Sequence, residues 1–212
     1  MTATLHQGDA VTWLRALPSG SVDLIDTDIA YESLEKHRAI GTTTRLTSSW
    51  FEIFRNERFP ELLAELYRVL ARDSHLYVIC DQETAFDVVK PMGIAAGFTW
   101  WKALVWDKRK IGMGYHYRAR FEHVCFLEKG KRRLADLGIP DVLEHERVRD
   151  GYPTEKPVAV GDVLVAPMRV LLERSIAGDV GEDELLDRLL EPEVWEHEKL
   201  WRDVAEIGRA HV

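Results

Sequence analysis

In one short segment of the 212-residue chain, Asp26-Thr-Asp-Ile-Ala-Tyr31, chemically capable side chains are crowded together. Two carboxylates and a phenol ring lie within six residues, directly after the apolar-rich run Val22-Asp-Leu-Ile25. Carboxylates at the end of a buried strand can ligate a cation or accept hydrogen bonds. Residue types alone leave two readings open. Asp26 and Asp28 could form a metal site of the kind that holds a nucleotide sugar, or the segment could be a strand-end turn with a capping Asp and a core Tyr. No Cys/His set at metal-ligand spacing accompanies the pair, so no metal is expected.

A second region with chemical potential is basic. Residues 102–133 hold ten Lys or Arg against three acids, a balance of +7 in a chain whose net charge is −8. Tyr115, His116 and Tyr117 lie inside it. Basic residues with interleaved aromatics suit a polyanion, and a solvated hairpin surface is the plainer reading. Residues 179–206 hold eleven acids against three bases, which equals the whole imbalance of the chain. Apolar residues make up 46% and charged residues 30%, which excludes collagen-like and broadly disordered chains. Two cysteines are too few for a disulfide framework, and no apolar window reaches the roughly 20 residues of a membrane span. The expectation is a soluble, cytoplasmic protein without a leader or a membrane partner.

The elements that must position these groups follow from periodicity. Val11–Leu17 is amphipathic and is stopped by Pro18-Ser-Gly20. Val22–Thr27 reads as a buried strand. Phe59, Leu62, Leu63, Leu66, Val69 and Leu70 recur at helical spacing, with Pro60 in the first turn. His75–Cys80 reads as a central parallel strand. Asp81 can cap a helix over about 82–96, kinked near Pro91. Two further strands are expected at 98–106 and 121–128, with an antiparallel finish. A last helix should start near Pro157, run to about Ser175 and be split at Pro167. The alternation predicts an α/β sheet with helices on both faces and chemistry at the carboxyl ends of the strands. Asp26–Tyr31, Cys80–Gln82 and Trp106–Lys110 lie at such ends.

Four segments resemble motifs of the permuted (beta) branch of amino-group DNA methyltransferases, in that family's order. Leu24–Tyr31 resembles its Asp-Pro-Pro-Tyr motif, and Leu5-His-Gln-Gly-Asp9 the strand region before it. Lys108–Lys129 resembles its later hairpin, with Tyr117-Arg118-x-Arg120-x-Glu122 entering a strand. Gly151-Tyr-Pro-Thr-Glu-Lys-Pro157 resembles its His-Pro-Thr-x-Lys-Pro element. The closest likeness is to short, stand-alone bacterial and phage methylases. The resemblance implies a Rossmann-like methyltransferase sheet over residues 1–178. It implies methyl transfer from S-adenosylmethionine to an exocyclic amino group of a flipped base in double-stranded DNA, adenine N6 favoured over cytosine N4. Asp28 and the carbonyl of Ile29 would direct the amine lone pair, and Tyr31 would stack on the base, an interaction worth about 1–3 kcal/mol. Asp9, Thr154, Lys156 and Pro157 would face the cofactor. Lys108, Arg109, Lys110, Tyr115, His116, Arg118 and Arg120 would meet DNA, positioning it by its phosphates. A homodimer is compatible with this reading.

The chain also departs from the pattern. Ile29 and Ala30 stand where the family has prolines, so the turn loses proline's fixed φ. The family's later Asp-Pro-Phe-x-Gly-Ser-Gly cofactor loop has no counterpart in Ala166–Gly178, so the sheet is expected to be incomplete. Residues 179–212 read as an acidic helical tail. Ile207-Gly-Arg-Ala-His-Val212 matches one reading frame of a common sequencing adapter, and these six residues are expected to be foreign. The alternative function is a non-catalytic methyltransferase remnant that binds DNA or a protein partner.

Overall fold

The computed structural model describes residues 5–35, 52–112, 116–134, 136–148 and 155–165. The chain divides into two compact units. The larger comprises Gly8–Arg133 with Pro140–Arg147 and carries the sheet. In the smaller, residues 158–165 are helical, Val160 and Leu164 are buried, and Pro157 sits at the helix start, its carbonyl accepting from the Val160 N–H at 3.0 Å.

In the larger unit α1 (Ala10–Ala16) starts where Asp9 accepts from the Thr12 N–H at 2.9 Å, the side-chain cap that a first turn needs. Its last carbonyls are met by Arg68, which donates to Leu14 O at 2.7 Å and Leu17 O at 2.9 Å. Arg68 belongs to α2 (Phe59–Val69), whose buried stripe Phe59, Leu62, Leu63, Leu66 and Val69 is the one expected from spacing. The α2 C-terminus is satisfied by Lys129, whose Nζ donates to Tyr67 O and Leu70 O, each at 2.6 Å, while lying 4.7 Å from the Tyr67 ring centroid.

The sheet has strand order β1-β2-β4-β3-β5, with β1 Val22–Asp28, β2 Leu70–Cys80, β3 Thr99–Asp107, β4 Phe121–Lys129 and β5 Val142–Glu144. β1 and β2 run parallel, and β4 lies antiparallel to both β2 and β3. The expected antiparallel finish is present, with β4 inserted between β2 and β3. β2 starts five residues before the run at His75, because Leu70 pairs with Val22 ahead of a bulge. β5 pairs with β3 in parallel over three residues and had no sequence signal. The helix after Asp81 is a π-helical stretch, Thr84–Val89, followed by α3 (Lys90–Ala96). Pro91 lacks an N–H, and it sits in the first turn of α3 where none is required.

One sheet face packs on α1, α2 and the π-helical stretch through Leu76, Val78, Cys80, Cys125 and Leu127, against Val11, Leu63, Leu66 and Val89. Cys80 and Cys125 are buried free thiols with Sγ atoms 3.6 Å apart. The other face carries Tyr77 stacked on Phe126 at 5.3 Å and His75 edge-on to Phe126 at 5.0 Å. Burial pushes the His75 pKa down. Beside it, buried Glu128 accepts from Trp101 Nε1 at 2.8 Å and from the Arg132 N–H. Among the described residues no helix is long and apolar enough to cross a membrane.

Candidate functional site

β1 is an end strand of the sheet, and its alternation decides which way the two carboxylates point. Asp26 pairs with Tyr77 and Asp28 with Ile79 in the β1–β2 ladder, so both carboxylates lie on the face of Tyr77 and Phe126. Ile25 and Ile29 pack into the helical core instead. Asp28 is exposed at the carboxyl end of β1, where the chain leaves the sheet.

Tyr31 follows at once and is held by a second segment. It forms a parallel bridge with Phe54, and the Phe54 N–H donates to Ala30 O at 2.7 Å. Glu32 accepts from the Asn56 N–H at 2.8 Å, and Arg55 forms a forked pair with Glu35 at 2.7 and 2.9 Å. Ser33 donates to Asp81 at 2.6 Å, and the other Asp81 oxygen caps Thr84 N at 2.9 Å. These bonds anchor a turn whose expected prolines are Ile29 and Ala30. Tyr31 packs partly into the core, and its hydroxyl pKa is raised, first by burial and then by Glu122 and Asp81.

A groove of about 460 Å³ runs along β1 between α1 and α2. Leu14, Leu17, Ile25, Leu62 and Leu66 form its apolar bed; Trp13, Phe54 and Glu52 also line it, and Asp26 and Asp28 border it from β1 with their carboxylates on the opposite face. Among the described residues no Lys or Arg lines it. Asp26 Oδ1 is buried without a hydrogen-bond partner, and the carboxyl is pushed up to about 7, first by desolvation and then by the nearby Asp28 charge. Among the described residues no group of three or more His, Cys, Asp or Glu is placed to hold a metal ion, so the Asp26–Asp28 metal reading finds no companions there.

The structure separates the other expected residues. Asp9 spends its carboxylate on Thr12 N and Oγ, each at 2.9 Å, and on Arg58 at 2.8 Å, and these bonds hold its pKa at about 2. Lys156 and Pro157 lie in the smaller unit, and Thr154 lies outside the described residues, as does Tyr115. Lys108 donates to Glu122 at 2.5 Å, Arg109 pairs with Glu144, and Arg120 forks onto Asp107. Lys110, His116 and Arg118 are exposed. The expected glycine-loop stretch 166–178 and the acidic tail 179–212 lie outside the described residues. Trp13, Glu52 and Phe54 were not anticipated. Trp13 is 40% exposed on an amphipathic helix and could have been noticed, whereas the placing of Glu52 and Phe54 beside β1 depends on the tertiary fold.

No protein-family model matches the sequence. Over 115 residues the chain is 27% identical to the type II methyltransferase M.HhaII of Haemophilus parahaemolyticus, a stretch covering 52% of this chain and 50% of that protein. The chain thus spans about half the length of this relative. PvuII DNA methyltransferase, which is cytosine-N4-specific, superposes with a TM-score of 0.57 at 13% identity, over 75% of this chain and 67% of that one. TTHA0409 of Thermus thermophilus, whose name places it with DNA modification methylases, superposes with a TM-score of 0.51 at 16% identity, over 75% and 72%. The fold is that of DNA methyltransferases. TTHA0409 has also been solved complexed with S-adenosyl-L-methionine.

Proposed function

We propose that this chain is a DNA methyltransferase that moves a methyl group from S-adenosylmethionine to an exocyclic amino group of a base flipped from double-stranded DNA. The observation that carries the reading is the position of Asp28, exposed at the carboxyl end of β1, beside a groove lined by Trp13 and Phe54, three residues before Tyr31. S-adenosylmethionine supplies an electrophilic methyl on a sulfonium cation. The groove suits such a ligand: Trp13, Phe54 and Glu52 line it for a cation and its apolar bed for a planar base, with no Lys or Arg among its described lining residues. Trp13, Phe54 and Glu52 would hold it.

Asp28 serves as the acceptor. An exocyclic amine is a poor nucleophile because its lone pair is delocalised into the ring. A carboxylate that accepts one N–H, with the Ile29 carbonyl accepting the other, draws the nitrogen toward a tetrahedral geometry and stabilises the positive charge that develops there. Tyr31 offers a ring for stacking while its bridge to Phe54 holds it in place. Both adenine N6 and cytosine N4 are amines of this type; the sequence resemblance favours adenine.

The test is calorimetric titration of the folded chain with S-adenosylmethionine, followed by transfer of labelled methyl to duplex DNA. Micromolar binding is expected, with transfer abolished in Asp28→Ala and cofactor affinity kept within a few-fold. Full transfer by that variant would remove Asp28 from its role. A folded chain that binds no cofactor would return the reading to the non-catalytic remnant.

A further inference from the structure

The loop between β3 and β4 is closed at its neck by a charge-paired stem. Asp107 is the last residue of β3, and Arg120 precedes β4. The guanidinium donates from Nε to Oδ1 and from Nη2 to Oδ2, both at 2.6 Å, a two-point fork that fixes orientation as well as distance. The same Oδ1 accepts the Arg109 N–H at 2.8 Å and so holds Arg109 at φ 59°, a left-handed geometry unfavourable to residues other than glycine. Two backbone rungs continue the stem, Lys108 N to Arg120 O at 3.0 Å and Gly112 N to Ala119 O at 2.8 Å. The side-chain fork and the Arg109 N–H hold the Asp107 carboxyl below its usual range, Arg120 contributing most.

The flanking bases are committed in the same way. Lys108 lies 5.5 Å from the Trp106 ring centroid, with its ammonium on Glu122. Arg109 reaches across to Glu144 at the end of β5. Each of these cations is already neutralised by a carboxylate, so it offers a phosphate less charge than an unpaired base does. The Asp107 carboxylate is only 14% exposed, so releasing Arg120 would leave it poorly solvated and unpaired. Lys110 and Arg118 instead stand exposed, as does Tyr117.

We infer that Asp107 and Arg120 form a latch that positions the 108–120 loop, and that Lys110 and Arg118, rather than Lys108, Arg109 or Arg120, make its phosphate contacts. This rests on DNA being the substrate. It divides the basic segment into residues that shape the loop and residues that meet the polyanion, a division that charge alone cannot make.

The experiment measures duplex affinity against salt concentration for the full chain and its variants. Each phosphate contact contributes about 0.9 to the slope of log K against log salt. Lys110→Gln and Arg118→Gln should each reduce the slope by about that amount. The double variant Asp107→Asn/Arg120→Gln removes the latch without changing net charge. It should keep the slope and lower affinity severalfold at every salt concentration. The swap Asp107→Arg/Arg120→Asp should restore affinity, a rescue that a phosphate contact by Arg120 would not show. A slope reduced by about 0.9 in the double variant, or a swap that restores nothing while melting like the unaltered chain, would overturn the inference. If the unaltered chain binds no duplex, the substrate reading fails. The latch is then read by trypsin, which should cut after Lys110 and Arg118 faster in the double variant and at the original rate in the swap; equal rates in all three would overturn the latch itself.

Discussion

Asp26 offers the sharpest physical test, because β1 holds its carboxyl with one oxygen buried and no side-chain or backbone donor within reach of that oxygen. Desolvation and the adjacent Asp28 push it up to about 7, whereas in the unfolded chain it should titrate near the ordinary value of 3.8. Between those two values the folded chain holds a proton that the unfolded chain has released, so stability falls as pH rises through that window. A tenfold difference in proton affinity is worth about 1.4 kcal/mol, so the full window corresponds to about 4 kcal/mol, of which about 2–3 kcal/mol falls between pH 5 and 8. Asp26→Asn keeps the shape and removes the charge. The assay is thermal or urea unfolding of both proteins at pH 5 and pH 8. Comparing the two proteins cancels the opposing contribution of His75 and His123, whose pKa values burial pushes down. The stability of the variant relative to the unaltered chain should rise by about 2–3 kcal/mol between pH 5 and 8, seen as about 4–10 °C in melting temperature for a domain of this size. A difference that does not change with pH would refute the reasoning, because it would mean that Asp26 is solvated in the folded state.

Two packing predictions address the frame around the site. Gly93 in α3 has Leu127 Cδ2 only 2.5 Å from where a Cβ would stand, and Leu127 is fully buried in β4. Gly93→Ala should therefore destabilise by about 1–2 kcal/mol in urea unfolding, even though alanine is the better helix former by about 1 kcal/mol; a stabilised variant would show that the helix can retreat from the sheet. Lys129→Met removes both donors from the α2 carbonyls while keeping the apolar stem, and should cost about 2 kcal/mol; an unchanged melting curve would show that water caps that helix equally well.

The regular elements could be read from residue order because their causes are local. The stripe from Phe59 to Val69 and the apolar run ending at Cys80 each satisfy a period within one element. The crowding of two acids and a ring at a strand end was visible for a similar reason: it occupies six consecutive positions. Other features had no such signature. Pro91 suggested a kink, but the backbone before it is π-helical, a change in hydrogen-bond pattern that composition does not encode. β5 is three residues long and exists because β3 has an edge to pair with. The basic segment looked uniform, yet Asp107, Glu122 and Glu144 claim three of its cations.

The order of residues along this chain was sufficient to specify the α/β class, the strand that leads to Asp28, the aromatic that follows and the excess of positive charge between β3 and β4. Each of these depends on neighbours within a dozen positions. Folding had to bring distant segments together before Phe54 could brace Tyr31, before Trp13 and Glu52 could flank the same strand, and before Asp26 could lose its solvent. Partnerships of that kind depend on which surfaces the core brings together and how much water it removes between them. They are properties of three-dimensional packing, and no window of sequence contains them.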